Sequence, residues 1–364
     1  MKRVSFFGIL VGLVAFLITL PAGAVEIKLS GQINRMIMRA DNGEDSDVFH
    51  ADNDNSSTRF RFTGSQEVKD GVKVGVVWES QFESNTSSNL DIGPKAKTDN
   101  SSTFTERKLE AYFDTPFGKA TIGQGDGAAN GTSEVDLSGT GVIMYSGVND
   151  TAGGFTFLRD ITSPVTGKNT PVTTIGKTRS NFDGLSRNDR LRYDTPALGP
   201  VTLSASMTNG SAWEAAGRIS QEFGFGKFAA AVGYVETKNR ESGGTPLKFD
   251  QIGASASFLF NFGLNLTLAW GQRDPEVSNI EPENFYGKLG YKKGIHAVAV
   301  EYGMTQDLQQ KGDDSENYGV AYVVTPWNGV ELYTAFRQFS LDRKGVNNID
   351  DLNQVMVGTR VKFW

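Results

Sequence analysis

The chain contains no cysteine, and after its first 24 residues it has no long apolar run. The absence of cysteine excludes a disulfide framework and a thiolate metal site. No later segment approaches the roughly 20 apolar residues that a membrane-spanning helix needs. The mean hydropathy of −0.32 is typical of a water-soluble protein. A strand that alternates lipid-facing and water-facing residues also has a low mean hydropathy, however, so this value does not exclude a membrane protein.

Histidine is almost as scarce, with only His50 and His296 in the chain. A serine nucleophile needs a basic partner such as histidine. His50 lies in a stretch rich in acids and amides, and His296 shares the parity of the apolar residues around it. Neither has a plausible triad, so we expect a protein that is not an enzyme, with no catalytic residues, no metal and no cofactor.

The balance of charge is acidic. The chain has 36 basic and 42 acidic residues, a formal charge of −6, and the loss of Lys2 and Arg3 with a leader would leave 34 against 42, or −8. This balance argues against nucleic acid as a partner. It does not fix ion selectivity, which depends on charges at the narrowest point of a pathway.

The first 24 residues have the features of a signal peptide. Lys2 and Arg3 form a positive start, an apolar stretch follows from Val4 to Leu20, and Ala22-Gly23-Ala24 offers a small-residue cleavage site. The apolar stretch is somewhat long, so an uncleaved anchor helix is the alternative. We expect cleavage before Val25, with residues 25–364 forming a single domain.

Short Gly- and Pro-containing turns alternate with longer polar loops throughout the rest of the chain. The seven short turns lie near 69–71, 115–118, 195–200, 223–226, 261–263, 292–294 and 325–329. The eight polar stretches lie near 40–56, 83–103, 126–186, 209–212, 238–247, 273–281, 305–315 and 341–352. Fifteen connections imply about sixteen strands with all the short turns at one end, which is typical of a transmembrane antiparallel β-barrel. A barrel of that size encloses a water-filled lumen.

Strict alternation supports this all-β interpretation. In 264–271 the residues Leu264, Leu266, Leu268 and Trp270 alternate with Asn265, Thr267, Ala269 and Gly271. A soluble β-sandwich would alternate in the same way. Aromatic residues at strand ends, uniform strand length and the signal peptide favour the barrel.

The last strand carries a candidate assembly signal. Val355, Val357, Thr359, Val361 and Phe363 form one row, and Phe363 is an aromatic at its end. This pattern resembles the terminal signal of outer-membrane barrels, which usually ends on the aromatic residue. Here Trp364 follows, so either Phe363 or Trp364 could be the residue that is read.

Three stretches, in the same order, resemble the trimeric general porins of Gram-negative bacteria, especially the neisserial and proteobacterial type. They are Ser57-Thr58-Arg59-Phe60-Arg61-Phe62-Thr63-Gly64 with the turn that follows it, Arg107 to Gly123 with its Pro116-Phe117-Gly118 turn, and Arg190-Leu191-Arg192-Tyr193-Asp194-Thr195-Pro196. Together they cover roughly a fifth of the mature chain. The resemblance implies a sixteen-stranded barrel and a third loop, here 126–186, that folds inward to narrow the pore. It also implies a homotrimer in contact with outer-membrane lipid and lipopolysaccharide.

The same resemblance implies a constriction at which basic wall residues face carboxylates on the inward loop. Arg59 matches a wall arginine of the family, and alternation with Phe60 and Phe62 puts Arg59 and Arg61 on the lumen side. Arg190 and Arg192, with Arg187 just before them, are further candidates. On the fourth strand the turn count favours Arg107 whereas alternation favours Lys108, and both alternatives stay open. The loop offers Glu134 and Asp136, with Asp126 and Asp150 behind them. The simpler interpretation is that these arginines only line a wet wall.

These observations predict an outer-membrane porin for passive diffusion of small hydrophilic solutes and ions. The alternative is a solute-specific channel for a sugar or an anion, although the chain has no lysine series and the inward aromatics Tyr112, Tyr286 and Tyr333 are scattered. A barrel that acts as an adhesin or an enzyme is a third and less favoured alternative.

Overall fold

A computed structural model describes residues 25–93, 103–163, 167–242, 245–276 and 278–363. The expected signal peptide and Trp364 lie outside these ranges. The strands are β1 (Glu26–Asp41), β2 (Ser46–Asp52), β3 (Arg59–Lys69), β4 (Val72–Glu83), β5 (Thr103–Thr115), β6 (Gly118–Asp126), β7 (Thr156–Thr162), β8 (Asn169–Thr174), β9 (Arg187–Asp194), β10 (Val201–Thr208), β11 (Ala212–Phe223), β12 (Gly226–Ser242), β13 (Thr245–Phe260), β14 (Leu264–Pro275), β15 (Glu283–Lys293), β16 (His296–Gln306), β17 (Asp313–Trp327), β18 (Val330–Arg343) and β19 (Leu352–Phe363). The helices are α1 (Asn149–Ala152) and α2 (Ile175–Thr178), with 3-10 turns at Asp54–Ser56, Ser87–Asn89 and Asn209–Ser211.

The strands close into one antiparallel barrel. Each wall strand pairs with its neighbour in chain order, and β1 pairs with β19 from Gly31↔Phe363 to Asp41↔Asn353. The first part of β1 pairs with β3 and its last part with β2, so these two strands together fill one position in the wall. Because β7 and β8 form a separate hairpin, the wall has sixteen positions, as the turn count predicted.

The connections follow the predicted asymmetry, although strands lie in three of the stretches predicted as loops: β2 in 40–56, the β7–β8 hairpin in 126–186, and most of 238–247. All seven short turns join neighbouring wall strands at one end of the barrel. The stretch 238–247, predicted as a loop from its polarity, is instead mostly strand, since β12 and β13 stay paired to Ser242↔Thr245. A strand that extends beyond the lipid needs no apolar row, so polarity alone does not reveal where the pairing stops.

The outer face of the wall is apolar, as the alternation predicted. On β14, Leu266 is 45% exposed whereas its neighbour Thr267 is 3% exposed. On β19, Val355, Val357 and Val361 are likewise exposed. In a closed barrel the buried row faces inward, and we call it the inner face.

A hydrophobic core lies against part of the inner face. Wall residues such as Met38, Tyr286 and Phe339 pack in one buried cluster with Ile143 and Phe155 of the 126–186 segment. Full burial of such side chains contributes roughly 1.5–3 kcal/mol each. The inner face is therefore not uniformly wet. In the described part of the chain, no helix is long and apolar enough to cross a bilayer.

Candidate functional site

A polar cavity of about 550 Å³ lies between the inner face of β3, β4 and β5 and the 126–186 segment. Its lining is Asp54, Asn55, Ser56, Ser57, Arg59, Gln81, Arg107, Asn130, Glu134, Tyr145, Asp150, Asn181, Asp183, Ser186 and Arg187. The lining holds three arginines and four carboxylates, so the cavity is strongly charged. Of the predicted residues, it brings together Arg59, Arg107, Arg187, Glu134 and Asp150.

The three arginines of the cavity differ in their partners. Arg107 donates from Nε to Glu79 Oε1 at 2.7 Å and from Nη1 to Gln81 Oε1 at 2.6 Å. Arg187 pairs with Asp126, with 3.0 Å between Nε and Oδ1. Arg59 forms no ion pair within 4.0 Å among the described residues. Of the three, Arg59 thus keeps its charge least compensated by a direct partner.

A β-bulge resolves the conflict between Arg107 and Lys108. The register between β4 and β5 runs from Glu79↔Lys108 to Ser80↔Glu106, so Arg107 is an extra residue on β5. Both side chains therefore reach the inner face: Arg107 bonds Glu79, and Lys108 forms an ion pair with Asp126. Strict alternation would allow only one of the two side chains to face inward. Because the bulge shifts the alternation by one residue in the middle of the strand, both can do so.

The opposite side of the cavity is acidic and belongs mainly to the 126–186 segment. Glu134 accepts a hydrogen bond from Asn181 Nδ2 at 3.0 Å, and Asp183 accepts from the backbone N–H groups of Gly131 and Ser133 at 2.6 and 2.9 Å. The Tyr145 hydroxyl donates to Asp150. None of these carboxylates has a basic group within 4.0 Å among the described residues.

Burial and mutual repulsion weaken the acidity of this group. Burial, with the charges of Asp183 and Asp150, holds the pKa of Glu134 well above its usual range. Burial raises the pKa of Asp150 to about 7, although the hydrogen bond from Tyr145 acts in the opposite direction. Burial also raises the pKa of Asp183, partly offset by its two backbone donors. Because these side chains crowd together without cations, they resist simultaneous ionisation.

The other predicted basic residues lie outside the cavity lining. Arg190 bonds Glu110 at 2.5 Å and the main-chain oxygen of Asp126 at 3.0 Å. Arg192 bonds Asp194 and the main-chain oxygen of Gly127. These two hold the start of the 126–186 segment, and Arg61 pairs with Glu79. Asp126 lies between Lys108 and Arg187.

Asp136, unlike Glu134, does not line the cavity and is paired with a lysine of the wall. Its Oδ2 lies 2.6 Å from Nζ of Lys288 on β15, and the Lys288 side chain is fully buried. Sequence reasoning missed Lys288, whose inward parity is its only signal. It also missed the buried Arg337–Glu301 pair, in which Arg337 donates to Thr151 Oγ1 at 2.7 Å.

Sequence reasoning also missed Asp54, Tyr145 and Asp183 of the cavity. All three lie in loops, where no periodicity shows which way a side chain points. Two of them carried a weak signal in the sequence. Tyr145 is close in sequence to the predicted Asp150, and both Tyr145 and Asp183 belong to the unusually long 126–186 segment.

A closed sixteen-stranded barrel with an apolar exterior and a charged inner cavity defines a transmembrane β-barrel channel. The model of the Gram-negative porin family matches residues 11–344. The chain therefore belongs to the Gram-negative porin family. It is an outer-membrane channel for passive diffusion, and the sixteen-stranded barrel, membrane location and channel function predicted from the sequence are confirmed.

Solved porin structures share this fold at low sequence identity. An anion-selective porin from Comamonas acidovorans is 16% identical, with a TM-score of 0.62 over 93% of this chain and 100% of that one. OmpT, an outer-membrane protein of Vibrio cholerae, solved in a trimer form, is 14% identical with a TM-score of 0.58 over 93% and 100%. A triple mutant of Rhodopseudomonas blastica porin is 16% identical with a TM-score of 0.54 over 93% and 100%. No curated protein sequence matches the chain.

Proposed function

We propose that the polar cavity is the constriction of a general-diffusion channel for small hydrophilic solutes and ions. The observation that carries this proposal is the facing of Arg59, Arg107 and Arg187 with Glu134, Asp150 and Asp183 across an open cavity. Opposed charges along a pathway set a transverse field, which orients dipolar solutes and sorts ions. Arg61, Lys108, Arg190, Arg192 and Asp126 bond residues beside the lining, and Asp136 attaches the 126–186 segment to β15 through Lys288.

The 126–186 segment is proposed to narrow the channel from within. The support is the number of wall strands with which it bonds on their inner faces. Val135 N donates to Ser255 Oγ of β13 at 2.9 Å, and Leu137 N donates to Ser257 Oγ at 3.0 Å. Lys288 of β15 and Arg337 of β18 hold it further along. A segment tied to so many strands keeps a fixed position beside the open cavity.

Passage is proposed to involve no covalent chemistry. The described lining has no histidine and no cysteine to activate a nucleophile. Its side chains are amides, hydroxyls and charges that exchange hydrogen bonds with passing solutes.

A liposome-swelling series tests general diffusion. Rates that fall smoothly with solute size support it, whether the solutes are sugars, amino acids or amides. One sugar or anion that swells liposomes far faster than its size predicts would favour the solute-specific alternative. If none of the solutes tested causes the liposomes to swell, both channel proposals are contradicted.

The mature protein is proposed to be residues 25–364, after removal of the signal peptide 1–24, with Phe363 and Trp364 as the assembly signal. It is further proposed to form a homotrimer in contact with lipid and lipopolysaccharide. One side of the outer wall supports the trimer. Arg35 shares its outward parity with Ile33 and Ile37, and its Nη1 lies 2.7 Å from Asp52 Oδ2 in an outer groove of about 380 Å³.

The position of this ion pair matters because lipid tolerates it poorly. Arg35 pairs with Thr359, four residues from Phe363 at the strand end, so it lies well inside the bilayer. An outward arginine near the midplane costs roughly 2–4 kcal/mol if it faces lipid. A neighbouring copy that covers the groove removes that cost.

A further inference from the structure

We propose that Lys293 and His296, on the outer face of the wall beside the short turn 292–294, bind the phosphate of an anionic phospholipid. The two residues end β15 and begin β16, and they pair directly across the two strands. The acyl chains of the lipid then lie along the apolar rows of the same strands. This site is on the outside of the barrel and is separate from the cavity within it.

Both side chains lie on the outer face. His296 shares its parity with Val298, which is 41% exposed, and Lys293 is the partner of His296 on β15. Paired residues on neighbouring strands have Cβ atoms about 4.5–5.5 Å apart, so one small group can contact both side chains. Lys292 has the opposite parity, and its side chain lies beside Gly139 of the inner 126–186 segment.

The pair lies at the depth of the lipid headgroups. The short turns of outer-membrane barrels are periplasmic, so the turn 292–294 marks the interface of the leaflet on that side. Tyr291 and Tyr322 are exposed on the outer face next to the pair, and tyrosine is enriched at this depth. A lysine here packs its apolar stem against the wall and extends its ammonium group toward the headgroups.

Tyr322 fixes the orientation of the His296 ring. The Tyr322 hydroxyl lies 2.7 Å from Nδ1 of His296, and the two rings are stacked at an interplanar angle of 16°. In the neutral imidazole one nitrogen accepts and the other donates, so an Nδ1 that accepts from Tyr322 leaves the Nε2 hydrogen to donate. Nε2 makes no hydrogen bond in the part of the chain that the structure describes, so this donor is available to a ligand.

The chain supplies no carboxylate to neutralise Lys293. Among the residues that the structure describes, Lys293 has no ion-pair partner within 4.0 Å. The sequence contains no acidic residue from 284 to 300 or from 317 to 330. Glu331, which follows the second stretch, is already paired with Arg360. The patch therefore complements an anion from outside the chain, and phosphate oxygens form strong charge-assisted hydrogen bonds with such donors.

The wall around the pair favours a lipid over a free phosphate. Leu289, Val298 and Val300 continue the exposed apolar rows of β15 and β16 away from the turn. A phosphate held at the turn places its acyl chains against these side chains, and burial of that surface adds affinity that inorganic phosphate cannot gain. In the wall, β17, β18 and β19 separate β16 from β1, so this patch lies apart from the groove at Arg35.

Native mass spectrometry of the whole protein in detergent tests the proposal. The anionic probe is dioleoyl phosphatidylglycerol, and the zwitterionic probe is dioleoyl phosphatidylcholine. We expect one tightly bound phosphatidylglycerol per chain and weaker binding of phosphatidylcholine, because its choline cation is repelled by Lys293. In Lys293→Gln with His296→Gln the affinity for phosphatidylglycerol should fall by about tenfold or more, because each lost charge-assisted bond is worth roughly one such step.

The matched control is Lys227→Gln at another short turn. Lys227 already lies 3.4 Å from Glu222, so this variant should bind phosphatidylglycerol like the wild type. Tyr322→Phe keeps the ring and removes the hydroxyl that orients His296, so it should weaken the lipid as well, but less than the double variant does. The double variant should conduct like the wild type, which shows that it is folded.

Three results would overturn the proposal. The first is a wild type that binds phosphatidylglycerol no more tightly than phosphatidylcholine. The second is a conducting double variant that binds phosphatidylglycerol as tightly as the wild type does. The third is displacement of the lipid by an equal concentration of inorganic phosphate, which would make the patch a site for free phosphate.

Discussion

At the residue scale, the three arginines of the cavity have one charge each but different surroundings. Arg107 and Arg187 are held by carboxylates behind them, and Arg59 is not. We therefore expect an ion in the cavity to respond most strongly to Arg59. The same contrast explains why equal charges at neighbouring positions need not contribute equally to selectivity.

Neutralising Arg59 should accordingly move selectivity toward cations. Arg59→Gln keeps a polar side chain of similar length and removes the charge, so the reversal potential should shift at low salt. The shift should shrink in molar salt, where the Debye length falls to about 3 Å. Lys227→Gln removes an exposed cation near a short turn and serves as the control. If Arg59→Gln matches that control at low salt, Arg59 does not act on the permeating ions.

Sequence reasoning reached part of this site at the residue level. The family resemblance indicated Arg59, and alternation in its strand agreed by placing Arg59 and Arg61 on the inner face. The family resemblance added Arg107, and the position of Arg187 beside the sixth strand made it a candidate. Alternation does not show which inward arginines are covered by a loop. Arg190 was therefore predicted as a constriction residue like Arg59, although it lies beneath the start of the 126–186 segment. Loop residues such as Asp183 have no period to read, and only tertiary contacts reveal them.

At the element scale, the bulge in β5 shows where alternation fails. A bulge adds one residue to one strand, so the inward and outward alternation counted along that strand shifts by one residue beyond it. The sequence around Arg107 contains no glycine or proline that would mark the position. The pairing partners on β4 reveal it, and these become known only with the structure.

Cysteine scanning tests the bulge directly, since the natural chain has no cysteine to react. Arg107→Cys and Lys108→Cys should both react with a small, charged, membrane-impermeant thiol reagent, because both positions reach the inner face. Leu109→Cys faces outward and should not react. Mass spectrometry of protein in liposomes measures the labelling. Reaction at only one of the first two positions would show that β5 is regular there.

The 126–186 segment depends on buried polar contacts as well as on its apolar core. Lys288 and Asp136 form a pair that is almost completely buried. Removing one partner of such a pair leaves the other charged and unsatisfied, whereas replacing both with apolar groups is often nearly neutral.

Lys288→Met should therefore destabilise the attachment of the segment by about 3–5 kcal/mol. Single-channel recordings should show larger or noisier conductance, and the barrel should unfold at a lower temperature in detergent. The double variant Lys288→Met with Asp136→Leu should recover most of the stability. A single variant that behaves like the wild type in both measurements would mean that this pair does not hold the segment.

At the scale of the whole molecule, the barrel was the easiest feature to predict. Short turns and polar loops fix the number of strands, and lipid requires an apolar outer row on each of them. The interior was hard to predict because its packing partners are distant in sequence. Thr267, for example, has the parity of a water-facing residue but is buried between Ser257 and Asn265.

The outer groove at Arg35 leads to a prediction for the assembly. In unheated detergent gels we expect a high-mass band that collapses to a monomer on boiling. Arg35→Glu replaces the ion pair with Asp52 by two carboxylates that repel each other. The high-mass band should therefore dissociate at a lower temperature. Val232→Ala, a change on the outward face of β12, should leave the dissociation temperature unchanged. If both variants dissociate like the wild type, another face forms the interface.

The core inside the barrel has a consequence for how conductance relates to size. The side of the lumen near Tyr286 and Phe339 is filled by packed side chains, and the open cavity lies beside β3, β4 and β5. If the cavity is the constriction, as proposed, current is expected to flow through an off-centre slot whose width is set by one arc of the wall. Widening the barrel by a hairpin opposite that arc would enlarge the circumference without enlarging the slot. In this channel we expect the circumference of the barrel and its conductance to be independent, so that a change in the first leaves the second unchanged.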